Sequence, residues 1–153
     1  MKWIALGIAL AQVAAAIAGP PSPVTPDIRA GLESWPKQAV SRDLTKLPAG
    51  VATLCADANG RFAAPGAKWE PTDSIQDAQL PRARLIWSIR SGDRVLVHFE
   101  KGGRAHSFHL LQASLSGGSQ STVAWRASAP GELHDYSALL GALQRNQILN
   151  ETP

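Results

Sequence analysis

A single cysteine, Cys55, is all the thiol chemistry the 153-residue chain contains. One cysteine closes no internal disulfide, so the fold must be held by its core alone. The expected role of Cys55 is that of a small buried apolar residue; an intermolecular disulfide and a nucleophile are the alternatives. Charge is sparse as well: 15 Lys and Arg stand against 12 Asp and Glu, a formal net charge of +3. No stretch interleaves Lys or Arg with aromatics, so nucleic acid is not an expected partner. After Ala18 no apolar run approaches the ~20 residues that span a bilayer. The sequence holds no Gly-x-Ser-x-Gly elbow, no His-Glu-x-x-His pair and no phosphate-binding glycine loop, so no cofactor is expected. Internal repeats are absent.

What is present begins at the N-terminus. Met1-Lys2 supplies a positive charge, and Trp3 to Ala18 is apolar but for Gln12. Small residues at Ala16 and Ala18 fit a signal-peptidase site. The spacing predicts a secretory signal peptide over residues 1–18, cleaved after Ala18. No cysteine follows for lipid attachment. The expected location is periplasmic or secreted, with no transmembrane segment in the mature chain. Residues 19–24 read as a proline-rich leader, 25–147 as a single α+β domain, and 148–153 as a polar tail that frays.

Thr25-Pro26-Asp27 reads as a helix start, followed by Ile28, Leu32 and Trp35 at helical spacing. Pro36 to Lys46 reads as a second short helix. Val51 to Ala56 is an apolar run that fits a short strand, with Arg61-Phe62-Ala63 as its hairpin partner. Between them, Asp57-Ala58-Asn59-Gly60 resembles the start of a calcium loop. Its glycine stands at the fourth position instead of the sixth, and no acid stands at the twelfth, so it reads as a turn. Residues 64–81 show little periodicity; Trp69 is expected to tuck into the core.

The firmest pattern runs from Arg82 to Ser128. Leu85, Trp87 and Ile89 alternate with Arg84, Ile86, Ser88 and Arg90, the period of a half-buried strand. Arg94 to Glu100 alternates again, with Leu96 an apolar exception. Glycine pairs at 102–103 and 117–118 mark turns. The pattern predicts a four-stranded antiparallel meander. Short N-terminal helices precede it, and a C-terminal helix over 132–146, carrying Leu133, Tyr136, Leu140 and Leu143, packs on the sheet. A two-residue turn at Gly102-Gly103 would place His98 opposite Ser107 and Val97 opposite Phe108. The expected core face is then Leu85, Trp87, Ile89, Val95, Val97, Phe99, His106, Phe108 and Leu110.

The other face gathers Arg84, Ile86, Leu96, His98, Glu100, His109 and Leu111. It is the candidate binding surface, because a solvated sheet face this apolar invites a partner or a covering helix. No catalytic residue is assigned. The expected function is a non-enzymatic binding or accessory module acting on another exported or envelope protein. The alternative is a small metal-binding protein or hydrolase. In that reading, His98, Glu100 and His109 ligate zinc with an open position, or Glu100 orients His98 as a general base.

Overall fold

A computed structural model describes residues 21–36, 40–117 and 120–151. The expected signal segment and its cleavage site lie outside these residues, as do positions 37–39 of the expected second helix. The strands are β1 (Ser22–Pro23), β2 (Ala83–Ser91), β3 (Arg94–Lys101), β4 (Ser107–Ser116), β5 (Gln120–Ala129) and β6 (Leu149–Asn150). The α-helices are α1 (Pro26–Glu33), α2 (Ala49–Cys55) and α3 (Tyr136–Gln144). The strands form one antiparallel sheet in the order β1-β6-β5-β4-β3-β2. Among the described residues no helix is long and apolar enough to cross a membrane.

The sheet therefore has six strands, not four, and the expected meander is corrected at both ends of the chain. The leader contributes Ser22–Pro23 and the tail contributes Leu149–Asn150, which pair with each other and extend the sheet past β5. Asn150 fastens both: its Oδ1 accepts the Trp125 indole N–H at 2.8 Å, and its Nδ2 donates to the Pro23 carbonyl at 3.1 Å. Pro23 is tolerated because an edge strand need not donate on both sides. Ile148 is buried, so the tail does not fray at this point.

The registers also differ from expectation, and the differences decide which residues share a face. β3 and β4 pair Lys101 with Ser107 and His98 with Leu110, leaving a five-residue turn over 102–106. Gly102 is not there for a two-residue hairpin. A Cβ at this position would fall 2.0 Å from the Glu70 carbonyl oxygen, so glycine lets residues 70–72 lie against the turn. The register is displaced by three residues, an odd number, which moves Phe108 and Leu110 to the face of Leu96 and His98. In β2 a bulge adds Ile86 between the Leu85–Phe99 and Trp87–His98 pairs. Leu85 therefore faces one way, and Ile86, Trp87 and Ile89 face the other.

Both faces are covered. On one side Leu32 and Trp35 from the N-terminal region and Leu139 and Leu143 from α3 pack on Trp87 and Leu96. On the other side Val51 and Cys55 of α2 pack on Leu85, Val97, Phe99 and Leu111. Each fully buried large apolar side chain contributes about 1.5–3 kcal/mol, so covering both faces stabilises far more than one half-solvated sheet would. Leu96 is thus no exception to a pattern; β3 is a strand buried on both faces.

The helices follow local rules with two corrections. α1 starts with Pro26 in its first turn, but the Thr25 side chain makes no capping bond. Residues 51–55 are helical, not extended, because Val51 and Cys55, one turn apart, insert together into the core. Ala63 accordingly bridges to Arg84 and does not pair with 51–56. The expected helix over 36–46 reduces to a single 3₁₀ turn, Leu44–Lys46, among the described residues. Asp57 organises its turn: Oδ1 accepts from the backbone N–H groups of Asn59 and Arg61, and Oδ2 from that of Arg82. Asp135 caps α3 by accepting the Ala138 N–H at 2.8 Å, so the helix begins at Tyr136, four residues later than the periodicity predicts.

Candidate functional site

The residues expected to form one surface are divided between two faces and the interior. Ile86, Leu96 and Leu111 are buried, the first two under α1 and α3 and the third under α2. The expected apolar contact surface is therefore covered. The exposed large apolar residues among those described, Ile75 and Val123, stand in separate segments.

His98 and His109 point to opposite sides of the sheet. His109 pairs with Phe99 and stacks on its ring at 5.3 Å, whereas His98, one residue earlier in β3, pairs with Leu110 and Trp87. The zinc or general-base trio of His98, Glu100 and His109 is thus not assembled, and among the described residues no cluster of three ligating side chains has metal-binding geometry. The cause is the three-residue change in register: being odd, it moves His109 to the opposite face, whereas an even displacement would have kept it on the face of His98.

His98 is instead a structural clamp. Its Nδ1–H donates to the His109 carbonyl at 2.9 Å, and its Nε2 accepts the Leu133 N–H at 3.0 Å. A carbonyl only accepts and an amide N–H only donates, so these partners define the neutral Nδ1–H tautomer. The Trp87 indole N–H donates to the Leu133 carbonyl at 2.5 Å. Both backbone groups of Leu133 are held, which ties the β5–α3 connection to the sheet. Burial pushes the His98 imidazolium down to about 4, outweighing the opposing pull of the His109 carbonyl and Glu100.

Arg84 and Glu100 do come together. Glu100 is 3% exposed, with Oε1 accepting the Arg84 Nε–H at 2.6 Å and Oε2 accepting His106 Nε2–H at 2.7 Å. Arg84 lies over the Trp69 ring at 4.8 Å, and the edge of that half-buried indole meets His106 at 5.3 Å. The sequence marks neither His106 nor Trp69 as part of this cluster. The shorter turn expected from the sequence puts His106 on the apolar face, and Trp69 lies in a stretch without periodicity.

Beside this ion pair an open cleft of about 210 Å³ is lined by Arg42, Pro65, Gly66, Arg84, Ile86, Glu100 and Glu132. Arg42 reaches it from the segment before the 3₁₀ turn and donates to the His134 carbonyl at 2.5 Å. Arg84 gives Glu100 only its Nε–H, one of five guanidinium donors. The cleft therefore combines two guanidinium groups that retain donors with two carboxylates, that of Glu100, whose oxygens are both bonded, and that of Glu132, which is exposed.

Comparison with family models, with curated proteins and with solved structures gave no match.

Proposed function

We propose that the chain is an exported binding module that grips an acidic residue of a partner protein in the Arg42–Arg84 cleft. The apolar character of residues 3–18 supports export. The observation that carries the binding role is the buried Glu100 carboxylate, bonded by half-buried Arg84 and exposed His106, where Arg84 and Glu100 line an open cleft. A buried carboxylate is costly unless fully partnered. Here both oxygens are taken, so Glu100 positions Arg84 and leaves it to act as the recognition group. Planar guanidinium donors match a carboxylate bidentately. The expected partner is another exported or envelope protein presenting Asp or Glu in an accessible segment.

Titration of the purified protein with a short Asp- and Glu-rich peptide, followed by amide chemical shifts, tests this. Shifts should concentrate at residues 65–66, 84–86, 100 and 132. Arg42→Glu, which leaves the Arg84–Glu100 pair untouched, should abolish them. Shifts scattered over the surface, or retained in Arg42→Glu, would remove the cleft as the binding site.

A further inference from the structure

On the α2 side of the sheet, away from the cleft, a second polar constellation is assembled. Ser107 Oγ lies 2.8 Å from His109 Nε2, and His109 Nδ1 lies 2.5 Å from Glu151 Oε1. We propose that these three residues form an acyl-transfer site for small carboxylic esters, with Ser107 as nucleophile, His109 as base and Glu151 as the residue that positions the base.

The sequence brings them together in two steps. Ser107 and His109 are two residues apart on β4 and so share a face. Glu151 follows β6, and its backbone N–H donates to the Arg126 carbonyl at 3.1 Å, which fixes it beside the same face. Ser128, paired with His109 across β5, donates its hydroxyl to Glu151 Oε1 at 3.1 Å. Burial alone would raise the Glu151 carboxyl. Hydrogen bonds from His109 and Ser128, with the charges of His109 and Lys101, outweigh it and hold that carboxyl below its ordinary value.

A carboxylate on Nδ1 requires a proton there, and in the neutral ring this leaves the Nε2 lone pair facing Ser107. The serine O–H then donates to it, the arrangement in which a base can take the hydroxyl proton. Stacking of His109 on Phe99 at 5.3 Å further restrains the ring. The His109 side chain is 16% exposed and that of Glu151 28%, so the relay is shielded but open to solvent. Lys101 stands directly opposite Ser107 on the same face. Cβ atoms so paired are about 4.5–5.5 Å apart, which lets the lysine ammonium reach an oxyanion formed over Ser107.

In the reaction, Ser107 Oγ bonds to the ester carbonyl carbon as its proton passes to His109 Nε2. The tetrahedral adduct collapses, the ester C–O bond breaks, and the alcohol leaves with that proton. Water then attacks the acyl-serine, again losing a proton to His109, and the acid departs as the proton returns to Ser107.

The purified protein treated with a fluorophosphonate should carry the adduct on Ser107, located by mass spectrometry, and should hydrolyse p-nitrophenyl acetate. Ser107→Ala should abolish the adduct and slow hydrolysis roughly tenfold or more. Glu151→Gln should lower kcat with KM little changed. The double variant should be no slower than Ser107→Ala alone, because members of one relay are not additive. Circular dichroism checks folding. If Ser107→Ala does not fold, Ser107→Cys keeps size and should transfer labelling at position 107 to iodoacetamide. No adduct on Ser107, an adduct on other residues only, or hydrolysis unaffected by Ser107→Ala would each overturn the assignment.

Discussion

At the scale of single residues, His98 shows how a titratable group is used for architecture. Both ring nitrogens are committed and the side chain has no exposure, so the neutral form is built into the fold. The unfolded chain takes up a proton near the ordinary value of 6.5, whereas the folded chain resists until about 4. Between those values the unfolded state binds more protons, so stability falls as pH falls. The loss over the whole window is on the order of 3 kcal/mol, since each tenfold change in proton affinity is worth ~1.4 kcal/mol. Glu151 adds to the loss only below its ordinary value of 4.5, so the interval from 6.5 to 4.5 belongs to His98 among the groups with a shifted pKa. Denaturant midpoints for wild type should therefore decline across that interval. Those of His98→Gln, whose amide can both donate and accept, should stay level by comparison. Parallel decline in the two proteins would show that another group is responsible.

At the scale of elements, what the sequence makes legible is set by repetition. Strands β2 to β5 carry eight to ten residues each and announce themselves by alternation or apolar density. β1 and β6 carry two residues each, too few for any period to show. Faces are harder to read than strands, because a bulge at Ile86 and a five-residue turn each reverse the parity that alternation assumes. Half of the candidate site is legible for that reason: the Arg84–Glu100 pair lies beyond the bulge and keeps its expected partners, whereas His98 and His109 do not. The end of α3 illustrates a signal hidden in an ordinary residue. Asn146 adopts φ 54°; its N–H donates to Leu143, and the Gln147 N–H donates to Ala142. This double bond pattern is a Schellman motif with asparagine in place of glycine. It turns the chain so that Ile148 is buried and β6 can pair with β5. Arg29 also donates to Asn146 Oδ1 at 2.6 Å, which joins α1 to the turn. Asn146→Ala should cost about 1–2 kcal/mol, the usual penalty of a left-handed conformation for other residues. A Trp125 fluorescence change should accompany it as Asn150 loosens. An unchanged denaturation midpoint would show that the motif adds nothing to stability.

At the scale of the whole molecule, one sheet serves two cores. Neighbouring residues of β3 point alternately into them, Val97 toward α2 and His98 toward α3, so neither core can lose its sheet without exposing the other. α2 is also pinned from β5, where Arg126 donates to the Leu54 carbonyl at 3.1 Å. Coupling of this kind favours a single cooperative transition. Cys55 reports on it from the α2 side. Its thiol is fully buried, and that burial pushes its ionisation up to about 12 against the weaker pull of Arg126 and Lys101. Since the thiolate is the reactive form, labelling at neutral pH should be negligible in the native protein and should require opening of the α2 core. Trp35, Trp87 and Trp125 report from the opposite core. With increasing denaturant, the fraction of Cys55 modified in a short pulse of thiol reagent and the tryptophan fluorescence should follow one curve with one midpoint. If Cys55 becomes reactive while the fluorescence remains native, α2 opens as a separate unit, and the shared sheet does not couple the two cores.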